Sequence, residues 1–374
     1  MAAKRMLFSL LLPLCSLFFF LLSNPCNAHH LKICHFDQIY QLGDSISDTG
    51  NLIREPIGAN TPFAKLPYGE TFFSSATGRC SNGLLMIDYI AASAGLPLLN
   101  PYKNAEADFR HGVNFAVAGS TALPVENLAS KKIVSPVTTS SLNVQLDWMF
   151  SHFNSTCHTE RDCLEKLKDS LFMVGEIGGN DYNYALLQGN SIEQVKTDLV
   201  PEVVQEIARA VRRVISYGAV RVVIPGNFPI GCLPIYLTAF ETNTTAAYDG
   251  NHCLKNLNSF ASYHNNLLRE TIKELKKEFP NVVIVYGDYY HTYKWLLKNA
   301  VAFGFDPMST QKSCCGTGGN YNFNLNKMCG QDVSACLNPN QYISWDGIHS
   351  TQEAYRIMAE RLLQKIFPQL HCSI

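Results

Sequence analysis

Five short, almost wholly apolar runs punctuate the chain, each closed by a polar or glycine-rich turn. Residues 39–42 (Ile-Tyr-Gln-Leu) stop at Gly43, and residues 112–118 end in Gly119-Ser120-Thr121. Residues 170–174 lead into Gly175-Glu176-Ile177-Gly178-Gly179-Asn180-Asp181, residues 220–224 into Pro225-Gly226-Asn227, and residues 282–286 into Gly287-Asp288. Runs of this length, apolar on both faces, predict strands of a parallel sheet covered by helices on both sides. Helical patterns fill the gaps at residues 84–94, 142–153, 257–278, 289–299 and 351–367. In residues 199–215 the apolar positions Leu199, Val203, Ile207, Val211 and Ile215 recur every four residues, as in a helix lying on a sheet. Strand alternating with helix predicts an α/β fold. Two stretches have no period: the Pro/Gly/aromatic segment 56–80, expected to be an extended loop over the sheet edge, and the Cys/Gly/Asn-rich segment 313–340.

The first strand meets its turn at Gly43-Asp44-Ser45-Ile46-Ser47-Asp48-Thr49-Gly50-Asn51, which is expected to open a helix. In an open α/β sheet the carboxyl ends of the strands face the ligand crevice, so Ser45 stands where a nucleophile is useful. Helix capping by Asp44, Ser45 and Asp48 is the alternative.

The chain has 374 residues, 47% of them hydrophobic, and a formal net charge of −1. It can bury a large core, and no linker, repeat or charge block divides it. Near-neutrality gives no electrostatic reason to expect a nucleic acid or an anionic membrane as partner. Lys4 and Arg5 precede an apolar stretch, residues 6–22, with small residues near Ala28. That pattern predicts a cleaved signal peptide, residues 1–28, and one domain, residues 29–374. Pro13 and two serines interrupt the stretch, which argues against a membrane anchor, and no later segment is long and apolar enough to span.

Thirteen cysteines fit an oxidising compartment; without Cys15 and Cys26 eleven remain, so at least one stays unpaired. Cys157 with Cys163, Cys232 with Cys253, and Cys34 with Cys372 are candidate pairs, as are Cys314 or Cys315 with Cys329 or Cys336. Zinc at the last cluster is the lesser alternative, because no Cys-x-x-Cys pair supports it. Asn154 and Asn243 head glycosylation sequons in polar, loop-like stretches.

Chemistry needs more than Ser45. Asp346 and His349 lie three apart before the last helix, a spacing that puts carboxylate and imidazole on one side. His349 can serve as the base that a serine hydroxyl requires, with Asp346 fixing its tautomer; an Asp–His pair capping the last helix is the other reading. Oxyanion stabilisation can come from the Ser45 and Gly119 backbone N–H groups and from the Asn180 amide. An ordinary turn glycine and an Asx-turn are the respective alternatives.

Taken together, Gly43-Asp44-Ser45, residues 112–119, Gly178-Gly179-Asn180-Asp181 and Asp346-Gly347-Ile348-His349 resemble, in order and separation, the four blocks of the GDSL (SGNH) hydrolases. The whole mature chain resembles the plant GDSL esterase/lipase group, with Tyr68-Gly69, Gly78-Arg79 and Phe228-Pro229-Ile230-Gly231-Cys232 in support. Residues 40–45 and 109–119 resemble, more narrowly, plant enzymes that deacetylate alkaloids. The resemblance implies a flavodoxin-like three-layer α/β/α sandwich on a five-stranded parallel sheet. It also implies a catalytic set of Ser45, His349 and Asp346, and oxyanion donors Ser45, Gly119 and Asn180, with no cofactor and no metal. The expected substrate is a small-molecule ester, an acetyl group on a bulky plant metabolite such as an alkaloid or glycoside. The expected destination is the apoplast, with vacuole or endoplasmic reticulum as alternatives. An acyltransferase, a lipid lipase or a non-catalytic binding protein would share these residues; oligomeric state is unreadable. Two departures stand out: Ile46 replaces the family's Leu, and Ser350 stands where many relatives have Pro. Gly-x-Ser-x-Gly, the α/β-hydrolase elbow, is absent.

Overall fold

A computed structural model describes residues 30–372. The leader segment assigned to residues 1–28, with Cys15 and Cys26, lies outside the described residues.

Five strands form one parallel sheet: β1 (Gln38–Leu42), β2 (Gly112–Asn114), β3 (Ser170–Val174), β4 (Arg221–Pro225) and β5 (Val283–Gly287). Their order is β2-β1-β3-β4-β5, with Tyr40 in register with Val113 on one side and Phe172 on the other. This is the flavodoxin-like doubly wound order. The helices are α1 (Met86–Ser93), α2 (Val125–Ser130), α3 (Leu142–Thr156), α4 (Glu160–Leu167), α5 (Gly179–Leu187), α6 (Ile192–Asp198), α7 (Val200–Ser216), α8 (Pro234–Ala239), α9 (Lys255–Glu278), α10 (Tyr289–Lys298) and α11 (Gln352–Ile366).

Because alternate strand residues point to opposite faces, the sheet feeds two cores. Tyr40, Leu42, Phe172, Val174 and Val222 pack under α3, α7 and α9. Ile39, Leu171, Met173, Val223 and Val285 pack under α1, α10 and α11. The apolar stripe of α7 falls as its four-residue repeat predicts, with Val203, Ile207 and Val211 buried. The layers are therefore α/β/α.

Three expectations need correction. The turn after β1 opens no α-helix: Ser47 and Asp48 N–H groups fold back onto the Asp44 carbonyl, and short 3-10 turns follow at Leu52–Arg54, Gly58–Asn60 and Pro62–Ala64. Strand β2 ends at Asn114, because its side chain turns back to accept from the Ala116 N–H and to donate to the Ser47 carbonyl. Asn154 sits in the last turn of α3 rather than in a loop, although it is exposed, as is Asn243.

Among the described residues there are five disulfides, Cys34–Cys372, Cys157–Cys163, Cys232–Cys253, Cys314–Cys336 and Cys315–Cys329, and Cys80 is free and buried. The last two disulfides use all four cysteines between residues 314 and 336, leaving no thiolate there to bind metal. Among the described residues no helix is long and apolar enough to cross a membrane.

Candidate active site

The carboxyl ends of β1, β2 and β3 and the turn before α11 converge on one point. Ser45 Oγ lies 2.8 Å from His349 Nε2, and His349 Nδ1 lies 2.6 Å from Asp346 Oδ2. With Nδ1 carrying the ring proton toward the carboxylate, Nε2 is left to accept from the serine hydroxyl. Asp346 Oδ1 takes the backbone N–H groups of Ile348 and His349, at 2.9 and 2.8 Å, so the acid and base are parts of one tight turn. Gly347 permits that turn: its φ is +98°, and the Phe323 ring occupies the space a Cβ would need.

Local hydrogen bonds hold the position after the histidine, where the family resemblance leads one to expect proline. The Ser350 N–H, which proline would lack, donates to Tyr355 Oη at 3.2 Å, and the Trp345 N–H donates to the His349 carbonyl at 2.8 Å. Thr351 then caps α11 through its hydroxyl. The pose of His349 is held without the ring.

The nucleophile turn is clamped by two buried side chains. Gln145 of α3 bonds both polar groups of the Gly43 backbone, accepting at 2.9 Å and donating at 2.8 Å. Asp48 gathers the N–H groups of Gly50, Asn51, Leu52 and Ala118, which fastens the Ser45 turn to the Gly119 turn. Gly119 has φ +81° and abuts Val137, where a Cβ would collide. Among the described residues the Ser45 and Gly119 N–H groups have no hydrogen-bond acceptor and remain available to a ligand.

Asn180 departs from expectation. Its amide is not free: Nδ2 donates to the Ser120 carbonyl at 2.9 Å and, more weakly, to Asp44 Oδ2 at 3.2 Å. Asn180 lines both hollows that Ser45 lines. Asp181 beside it makes no local Asx-turn; its carboxylate reaches the Ala122 and Leu123 N–H groups and ties α5 to the Gly119 turn.

Tyr68, in the long 56–80 loop, donates to Asp346 Oδ2 at 2.8 Å. Its ring meets Phe63 and Trp345 edge-on, and Phe63 in turn meets the His349 ring. Only the Tyr68-Gly69 resemblance hinted at this residue.

Electrostatics separate the carboxyls. Burial works to raise Asp346, but the His349 charge and the hydrogen bonds from His349 and Ile348 outweigh it and hold this carboxyl below its usual range. At Asp44 burial outweighs the Ile46 N–H bond and the His349 charge and pushes the carboxyl up to about 7. Burial, reinforced by the Asp44 charge, pushes Glu176 well above the carboxylate range. Burial and then Asp346 push Tyr68 up, so it stays a donor. One ionised acid thus stands beside the imidazole while more weakly acidic carboxyls lie beneath the serine.

Ser45 opens onto two hollows. The larger, about 330 Å³, is lined by His349, Phe63, Val137, Leu325 and Met328 among others, and His349 is its only ionisable side chain apart from Tyr68 and Tyr184. The smaller, about 40 Å³, lies over Asp44 and Glu176. Other hollows exist, such as one of about 410 Å³ beside Asp198, but among these described linings no hydroxyl is hydrogen-bonded to an imidazole. Among the described residues no cluster of three or more His, Cys, Asp or Glu side chains is placed to hold a metal.

A buried serine hydroxyl bonded to a carboxylate-oriented imidazole, at the strand ends of a parallel α/β/α sandwich, is what serine-dependent acyl transfer requires. Residues 39–362 match the GDSL-like Lipase/Acylhydrolase family, and the chain belongs to it. It is a carboxylic ester hydrolase. It is similar to acetylajmalan esterase 1 of Rauvolfia serpentina, with 46% identity over 91% of this chain and 89% of the relative. Acetylajmalan esterase 2 of the same plant is 45% identical over 92% and 94% of the two chains. A GDSL esterase/lipase of Arabidopsis thaliana is 44% identical over the same two shares.

Proposed function

We propose that the protein is a secreted serine carboxylesterase that removes an acetyl group from a bulky, mainly apolar plant metabolite. The reading is carried by the 2.8 Å contact between Ser45 Oγ and His349 Nε2 beside the Asp346 carboxylate. In this reading Ser45 Oγ attacks the acyl carbon as its proton passes to Nε2, and the carbonyl electrons move onto oxygen. The Ser45 and Gly119 N–H groups and the Asn180 amide receive that oxyanion. Its collapse breaks the ester bond, Nε2–H protonates the departing alcohol, and the acyl group stays on Ser45. Water then gives a proton to Nε2 and attacks the acyl-enzyme; collapse frees the acid and returns the proton to Oγ.

The acetyl assignment is supported by the names of the acetylajmalan esterase relatives. The wall of the larger hollow, with Phe63, Val137, Leu325 and Met328, favours a polycyclic alcohol such as an alkaloid over a hydroxyl-rich glycoside. Five disulfides and two exposed sequons accord with a mature domain of residues 29–374 that follows the secretory route after loss of residues 1–28 and carries glycans at Asn154 and Asn243.

The test compares wild type with Ser45→Ala on an acetyl ester, with and without added alcohols. Wild type should react with a fluorophosphonate and release acetate in preference to transferring it. Ser45→Ala should lose at least ~10⁴-fold in kcat and all labelling. Full activity in Ser45→Ala rejects the nucleophile, and dominant transfer to alcohol rejects the hydrolase.

A further inference from the structure

The two hollows that meet at Ser45 are unlike in size and in which reacting groups they touch. The larger contains His349; the smaller contains Ser45 and Asn180 but not His349. A leaving alcohol must lie within reach of His349 Nε2, which protonates it, so the alcohol belongs in the larger hollow. The carbon chain on the other side of the same carbonyl must leave in a different direction. We infer that the smaller recess is the acyl subsite, and that its walls restrict the enzyme to two-carbon acyl groups. This rests on the triad reading above.

The size fits: about 40 Å³ has room for a few small atoms, given that one water needs ~10–15 Å³. Apolar side chains of Ile46, Ile230 and Leu233 wall the recess. Glu176 and Asn227 share that lining, and Glu176 Oε1 and Asn227 Nδ2 are buried without a hydrogen-bond partner among the described residues, each residue being only 3% exposed. Buried polar atoms of this kind require a polar partner. Each added methylene brings hydrocarbon toward these groups, so chain extension is resisted by chemistry as well as by volume. Leu233 is the most readily altered wall residue: it is half-buried, and its backbone hydrogen bonds to Ile230 and Leu237 do not depend on its side chain.

The experiment measures kcat/KM for acetyl, butyryl and hexanoyl esters of one phenol, in wild type, Leu233→Ala, Ile230→Ala and Met328→Ala, each first titrated with a fluorophosphonate. Wild type should prefer acetyl over hexanoyl by at least ~10-fold, and Leu233→Ala or Ile230→Ala should raise the hexanoyl-to-acetyl ratio by ~10-fold or more. Met328→Ala, in the larger hollow, should leave that ratio within about twofold and instead raise KM for acetates of bulky alcohols. An unchanged ratio in both recess variants, or a ratio moved by Met328→Ala, overturns the subsite. If one recess variant fails to fold, the other decides, and Leu233→Phe should sharpen the acetyl preference. Wild type that takes no fluorophosphonate label refutes the triad reading instead, so the two failures are distinct.

Discussion

Tyr68 Oη and Asp346 Oδ2 are joined by a 2.8 Å hydrogen bond across 278 residues of chain. The same carboxylate oxygen receives His349 Nδ1, so the long 56–80 loop is coupled to the orientation of the imidazole. Tyr68 is 2% exposed and holds its proton, which makes it a fixed donor to the negative end of the Asp–His pair.

Tyr68→Phe keeps the ring, its contacts with Phe63 and Trp345 and the pocket wall, and removes only this bond. A hydrogen bond to a charged group is worth about 1.5–3 kcal/mol, so kcat should fall ~10-fold or more while KM stays within about twofold. Steady-state kinetics on an acetyl ester measure both. A rise in KM with kcat intact would reduce Tyr68 to a wall of the pocket.

Asp346→Asn preserves shape but changes what the turn can hold. An amide facing Nδ1 favours the tautomer that points a proton, rather than a lone pair, at Ser45. The expected loss is on the order of 10³–10⁴ in kcat, with a parallel loss in fluorophosphonate labelling rate. Labelling at the wild-type rate would show that His349 keeps its tautomer without Asp346.

How far the sequence reveals this site depends on whether a local pattern marks each residue. Strands β1, β3, β4 and β5 and the long helices are legible because an apolar run or a four-residue stripe has few other readings. Helices α2, α4, α5, α6 and α8, of six to nine residues, carry too few turns to show a period. Helix α5 begins Gly-Asn-Asp, which locally spells a turn; the Asp181 bonds to Ala122 and Leu123 anchor it as a helix end. Ser45, Asp346 and His349 are readable from a strand end and a three-residue spacing. Gln145 is not, because nothing in its neighbours marks its bonds to Gly43, and Tyr68 is marked only by the Tyr68-Gly69 resemblance, which says nothing of its bond to Asp346. The engaged state of Asn180 is equally invisible, since Asp44 and Ser120 meet it only after the sheet has formed.

Asn180→Ala removes the donor that must leave Asp44 to reach an oxyanion. Loss of one such donor costs ~10²–10³ in kcat. KM should change little, because the ground-state carbonyl gains little from a donor still bonded elsewhere. Equal loss in kcat and affinity would mean that Asn180 binds substrate and transition state alike.

Glu176 makes stability depend on pH in a stated direction. Burial, followed by the Asp44 charge, raises its carboxyl well above 4.5 in the folded protein. The folded state therefore keeps a proton that the unfolded chain releases above about pH 4.5. The contribution to stability is complete below that pH and is lost progressively as pH rises toward the folded-state value. Glu176→Gln removes this titration at nearly constant shape. The variant should match wild type near pH 4.5 and melt at a higher temperature at pH 8, with the gap widening in between. His264, buried and depressed to about 4, loses its contribution in the opposite direction, as pH falls from 6.5, and does so equally in both proteins. A melting-temperature difference that ignores pH would show that Glu176 does not titrate as its burial requires.

The Cys34–Cys372 disulfide closes a loop of 338 residues, from the approach to β1 to the tail beyond α11. Nearly the whole domain, including the serine and histidine turns, lies inside it. Cross-linking such distant points restricts the unfolded chain far more than the folded one, by about 4–6 kcal/mol in the chain-entropy account. Replacing both cysteines with serine should therefore lower the urea midpoint strongly. It should also raise the denaturant slope, because the opened unfolded chain exposes more surface. Activity at low temperature should persist, since neither residue lines the hollows at Ser45. A midpoint within the range of a typical surface substitution, about 0.5 kcal/mol, would place the constraint in the folded contacts rather than in the unfolded chain.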